Sequence, residues 1–175
     1  SQHHGAGWND LTRAVNLMPT MLTKSQVSNW KKWSTLIGTN RIPTIGVAIR
    51  RMLATVGERR TAEDILVDAV IVWENLFGAR TETTLRVTSS LAWLLGKNAK
   101  DRLEKQAMYK KIYDFRSQVV HGSPKVDEKK LNEYSQEATK ISIATLATIF
   151  GKRTDLLVHK SSEERSVAII HQGST

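Results

Sequence analysis

Residues 61–78 read TAEDILVDAVIVWENLFG, and the fold follows from them. Between residues 65 and 77, apolar side chains that include Val67, Val70, Ile71, Trp73 and Leu76 occupy nearly the whole circumference of a helical wheel. A helix that is apolar all round has to be enclosed by its neighbours. Its start is marked by Thr61 with Asp64 three positions on, a capping box in which Asp stands where Glu or Gln is more usual. Glu63 and Asp64 also suit the positive end of the helix dipole. Gly78 stops the helix.

The covering elements lie on both sides. Downstream, residues 83–95 form a helix ending at Gly96, residues 100–121 another ending before Gly122 and Pro124, and residues 128–150 a third ending at Gly151. Upstream, in a part that begins near Asp10, residues 23–37 and 43–56 read as helices punctuated by Gly38, Pro43 and Gly57. Strict polar/apolar alternation is scarce and there are 3 prolines, so the pattern predicts an all-α fold of about seven helices. With 175 residues and 40% hydrophobic content, one core suffices. Residues 1–57 make an N-terminal helical extension packed on the core, residues 58–151 the helical core, and residues 152–175 a C-terminal tail. The tail's short apolar run, residues 167–170, fits either a helix or a strand.

Charge and composition narrow the partners. The chain has 26 Lys+Arg against 17 Asp+Glu, a net charge of +9, which favours phosphate backbones and anionic surfaces. Cysteine is absent, so disulfides, thiol catalysis and thiolate metal sites are excluded, and a cytoplasmic setting fits. The apolar stretch 65–77 is interrupted by Asp68 and Glu74 and is shorter than the roughly 20 residues that cross a bilayer, so no membrane partner is expected. The opening Ser1-Gln2-His3-His4-Gly5 has neither an initiator Met nor a signal pattern. It reads as a tag remnant or the cut edge of a longer protein with further domains. No metal or other cofactor is expected: His3 and His4 sit at the chain end, Asp64 and Asp68 share a helix face with no His or Glu to complete a ligand set, and no glycine-rich phosphate loop is present.

The chemistry is concentrated in the helix over residues 100–121. At about 100° per residue, Met108, Ile112, Phe115 and Val119 cluster on one arc. Tyr113, Ser117, Val120 and His121 fall within about 140° of Arg116 on the other side. The wheel thus describes a two-faced helix, anchored by one face and projecting a guanidinium, a phenol, a hydroxyl and an imidazole from the opposite one. An imidazole can move a proton to or from an attacking 2′-hydroxyl or a leaving oxygen near neutral pH. An arginine fork can hold the phosphate and the charge that grows on it. The negative end of the helix dipole beside His121 suits a general acid. Arg–His pairs with four to six intervening residues are common in a basic chain, and two others occur, Arg153 with His159 and Arg165 with His171. The first of these flanks a turn and the second lies in the tail, whereas Arg116 and His121 share a long amphipathic helix.

The stretch Tyr113-Asp-Phe-Arg116-Ser117-Gln-Val-Val120-His121-Gly122 resembles the signature of Apea-like HEPN domains, Tyr-x-x-Arg-Ser-x-x-Val-His-Gly. Residues 68–77, with Glu74 before Leu76 and Phe77, are similar to an earlier helix of that family, and Arg86 with residues 91–96 to the helix between them. The likeness spans residues 63–150. It implies a HEPN-type antiparallel bundle and metal-independent endoribonuclease activity on RNA. It further implies a homodimer in which two Arg-x4-His helices face each other across a composite cleft, within a toxin or antiviral defence protein. Carried over residue by residue, Arg116 and His121 would be the catalytic pair and Ser117 the polar residue that follows the arginine. Glu74 and Arg86 are candidate supporting side chains of the cleft, with a solvated or ion-paired position as the alternative, and Tyr113 a supporting ring half-packed beside it. Two other readings compete: a non-catalytic helical module that dimerises or binds RNA and regulates a partner domain, and a DNA-binding regulator, which predicts steep salt dependence on duplex DNA. Asn29-Trp30-Lys31-Lys32-Trp33 mixes aromatic and basic residues as strand-stacking surfaces do, but the tryptophans' helical spacing favours packing on the bundle.

Overall fold

The structure, a computed structural model, describes residues 21–39, 43–122 and 126–171. The expectations about His3, His4, Asp10 and Pro124 lie outside these residues. The described chain is all-helical. In order it runs α1 (Lys24–Thr39), a 3-10 turn (Pro43–Ile45), α2 (Gly46–Gly57), α3 (Ala62–Phe77), α4 (Thr83–Leu95), α5 (Ala99–Val120), α6 (Glu128–Lys152), a second 3-10 turn (Thr154–Val158) and α7 (Ser162–His171).

Helix α3 is the enclosed element that residues 61–78 predict. Leu66, Ala69, Val70, Val72, Trp73, Leu76 and Phe77 are all buried, with α2, α4, α5, α6 and α7 packed around them. Thr61 caps its start by accepting the Asp64 N–H at 3.2 Å, as its spacing from Asp64 requires. The same device opens α1, where the Thr23 N–H reaches Gln26 Oε1 at 2.8 Å and the Gln26 N–H reaches Thr23 Oγ1 at 3.2 Å, a reciprocal capping box. Asp127 caps α6 and Asn98 caps α5. At α2 the N-cap residue is Ile45, which has no side-chain acceptor, and the Ala48 N–H donates instead to Asn75 Oδ1 of α3 at 3.0 Å.

Long-range polar contacts fix the helix directions. Arg51 meets Asp68 and Ala48 meets Asn75, so α2 and α3 are antiparallel. Gln106 meets Ser89 and Arg102 stacks over Trp93 at 3.9 Å, so α4 and α5 are antiparallel as well. Asp68 is 2% exposed and receives Arg51 at 2.7 Å and Arg59 at 2.5 Å; a carboxylate this deep needs such pairing. Trp73 is fully buried, donates from Nε1 to Ser142 Oγ of α6 at 2.9 Å and tilts against Tyr109 of α5 with 6.1 Å between ring centroids.

Two sequence expectations change. The pair Trp30 and Trp33 does not pack as a unit: Trp33 is half-buried against the core and shares a cavity with Ile49, Met52 and Phe150, while Trp30 is 65% exposed. A single helix lying on the bundle turns only one of two residues three positions apart fully inward when it makes a shallow contact, and α1 is exposed along most of its length. The tail's apolar run, open between helix and strand in the sequence, is helical and part of the packed bundle. Helix α7 packs on α3 and α4, with Arg165, Ser166 and Ile169 buried.

Candidate functional site

Glu74 stands in the last turn of α3, and α5 crosses it with Tyr113 and Arg116, one turn apart on the same helical line. The Tyr113 hydroxyl donates to Glu74 Oε1 at 2.6 Å, and Arg116 Nη2 donates to Glu74 Oε2 at 3.4 Å. The first contact is as short as a charge-assisted O–H···O⁻ bond. The second is longer than a normal N–H···O bond, so the guanidinium is tethered loosely. Its side chain is 19% exposed and that of Glu74 27%, which places the pair at the rim of the bundle. The Nε of Arg116 is buried and has no hydrogen-bond partner among the described residues. Burial, the bond to Glu74 and the charge of Glu74 together push the Tyr113 phenol up from its ordinary range, against the opposing influence of Arg116 and of the neighbouring Thr84 on α4.

This arrangement corrects the two-faced picture of the helix. Tyr109, Ile112, Tyr113 and Arg116 fall within about 100° on the wheel, and Tyr109 and Ile112 are buried. Arg116 and Tyr113 therefore lean over α3 from the inward side and do not project from an opposite face. The reason is that α5 touches several helices at once, Trp73 of α3 through Tyr109, Ser89 and Trp93 of α4 through Gln106 and Arg102, and Tyr134 of α6 through an edge-on contact with Phe115. A helix so wedged has a wide buried arc. Met108, assigned to the anchoring arc, is exposed, and Tyr109, passed over in the sequence, lies beneath the site.

His121 caps α5 from just beyond its last residue, exposed, its backbone N–H bonded to the Ser117 carbonyl at 3.1 Å. Gly122 follows at φ 68, the left-handed conformation that lets the chain leave the helix. Ser117 is half-buried. Arg86 is half-buried on α4, its Nε buried without a partner among the described residues, and it makes no hydrogen bond to Glu74 or Arg116 there. Of the six residues singled out, hydrogen bonds thus join Glu74, Tyr113 and Arg116; Ser117 and His121 follow on the same helix, and among the described residues no hydrogen bond joins Arg86 to them. Thr84, Ser162 and Arg165, which border this network, carried no signal in the sequence beyond the last one's place in an Arg–His pair. A cleft of about 400 Å³ opens on the other flank of Glu74, lined by Ala79, Arg80, Thr83, Ser162 and Glu163.

Among the described residues, no group of three or more His, Asp or Glu side chains is placed to hold a metal ion, and no helix is long and apolar enough to cross a membrane. Comparison of the chain with protein-family models, with curated proteins and with solved structures finds no match.

Proposed function

We propose that the chain is an endoribonuclease domain of the HEPN kind that cuts RNA without metal, through Arg116 and His121, at a cleft formed by two copies. The observation that carries the reading is a loosely tethered guanidinium near the end of a helix whose C-cap residue is an exposed histidine. Arg116 is held to Glu74 by a single 3.4 Å contact, and His121 is exposed five positions on. An arginine in that condition keeps donors for a phosphate, and Glu74, itself fixed by Tyr113, sets the direction from which the fork approaches. In the reaction the RNA 2′-hydroxyl attacks the adjacent phosphorus, its proton goes to a base, and the 5′-oxygen leaves with a proton from an acid. The products are a 2′,3′-cyclic phosphate and a 5′-hydroxyl. His121 of one copy serves as one proton carrier, and Arg116 stabilises the charge on the phosphoryl oxygens. The second copy supplies the other proton carrier.

The Arg116–Glu74 pair also favours a second reading. An arginine engaged by its own chain is a structural anchor, which suits a helical module that dimerises or binds RNA without cutting it. The two separate in one experiment. RNA is incubated in EDTA with the wild type, His121→Ala and Arg116→Ala. The nuclease reading expects cyclic-phosphate ends from the wild type and a loss of about 10²–10⁴-fold in each variant. Equal cleavage by all three assigns the activity elsewhere, and RNA binding without cleavage by the wild type favours the module.

A further inference from the structure

Arg165 is the largest buried polar side chain, 1% exposed, and no ion pair is recorded for it among the described residues. Its three nitrogens all donate to carbonyls: Nε to Leu76 at 2.9 Å, Nη2 to Asn75 at 2.9 Å and Nη1 to His159 at 3.2 Å. Burial lowers its affinity for the proton, the usual cost of taking a cation out of water. The location explains how the cost is met. The last turn of a helix leaves carbonyls without intrahelical partners and gathers the negative end of the dipole, so a cation is stabilised there.

Helix α3 cannot close its own end. The glycine that follows it, Gly78, has φ −67, so the left-handed turn that normally folds N–H groups back over the last carbonyls does not form. Its N–H covers the Glu74 carbonyl at 2.7 Å, and Arg165 takes the next two. Beside it, the Ser162 hydroxyl donates to the Gly78 carbonyl at 2.5 Å. Helix α7, which carries both side chains, is itself tied to α4 by the Ser90 and Ser166 hydroxyls at 2.9 Å in the interior. Arg165 therefore grips the two residues immediately after Glu74, whose carboxylate is the shared acceptor of Tyr113 and Arg116.

We infer that Arg165, assisted by Ser162, is a positioning residue that sets the place of the Glu74 carboxylate against Tyr113 and Arg116 by closing the last turn of α3 from α7. The inference rests on the reading of Glu74 and Arg116 as part of the functional site, and it makes α7 a working part of that site. Among the described residues Arg165 makes no hydrogen bond or ion pair to Glu74's side chain or to Arg116 and donates only to backbone carbonyls.

The test uses the full chain with two readouts. Proton NMR follows the Tyr113 hydroxyl resonance, assigned by its loss in Tyr113→Phe, which reports the bond to Glu74 whether or not RNA is cut. RNA cleavage in EDTA follows kcat and KM separately. Arg165→Gln, and Ser162→Ala as a milder change that keeps the buried cation, are compared with Ser90→Ala, which loosens α7 from α4 without touching the end of α3. The expected result is loss or displacement of the Tyr113 hydroxyl signal in Arg165→Gln and a smaller displacement in Ser162→Ala, with Ser90→Ala like the wild type. Cleavage is expected to fall in kcat by about tenfold or more in Arg165→Gln, with KM little changed. An unmoved Tyr113 signal in a folded Arg165→Gln protein overturns the inference, as does an equal displacement in Ser90→Ala. If Arg165→Gln does not fold, Ser162→Ala decides by the same signal. If the wild type cuts no RNA, the nuclease reading fails while the NMR comparison still judges the clamp.

Discussion

Replacing Tyr113 by Phe removes one oxygen atom and, with it, the shorter of the two contacts to Glu74, the 2.6 Å bond to Oε1. The ring keeps its half-buried place, so no large cavity opens. What is lost is a hydrogen bond to a charged acceptor, worth about 1.5–3 kcal/mol. The remaining partner recorded for the Glu74 carboxylate among the described residues, Arg116 at 3.4 Å, is too far and too exposed to compensate. A loss of about 2 kcal/mol lowers Tm by about 4–8 °C in a chain of this size. The assay is thermal unfolding of wild type, Tyr113→Phe, Glu74→Gln and the double variant. Because the two side chains touch, the cycle should show a coupling of about 1–2 kcal/mol. A Tyr113→Phe protein within about 0.5 kcal/mol of the wild type, or strictly additive losses, would refute the network on which the site is built.

Two further outcomes follow from the fold. Tyr109 lies buried against Trp73, and burial pushes its phenol up from 10.0 to about 12, with Asp101 and Glu137 adding to the effect. The folded protein keeps this proton where the unfolded chain has released it. Its contribution, about 2–3 kcal/mol, is thus complete below pH about 10 and is lost as pH rises toward about 12. Denaturant titrations at increasing alkaline pH should show the decline, less steep in Tyr109→Phe; equal slopes would contradict it. Along α1, Trp30→Ala should change stability by no more than about 0.5 kcal/mol, since that ring is 65% exposed. Trp33→Ala, half-buried against the core, should cost about 2 kcal/mol by chemical denaturation, and equal effects would show that α1 sits differently.

The sequence was most legible where its signals are local. Thr61 with Asp64, the unbroken apolar surface from residue 65 to 77 and the stop at Gly78 are properties of one segment, and α3 forms where they place it. Glu74, Tyr113 and Arg116 stood out in the sequence as candidates too, but the hydrogen bonds that join them did not. A wheel describes one helix alone, whereas the inward side of α5 is decided by three neighbours, α3, α4 and α6. Arg165 was the least legible of all. An arginine in a short segment rich in Ser and Glu reads as solvated, and its burial depends on carbonyls supplied by another helix far upstream.

That dependence has a temporal side. Leu76 and Asn75 precede Arg165 by 89 and 90 residues. At about 5–20 residues per second, a ribosome completes α3 roughly 4–18 s before it reaches the arginine. In the later part of that interval the nascent chain already carries Tyr113 and Arg116, yet the end of the helix bearing Glu74 still lacks the donors that Arg165 brings to it. Maturation of this corner of the protein is therefore a closing event, brought about by the last helix to be made among those described and not by the segments that hold Glu74, Tyr113 and Arg116.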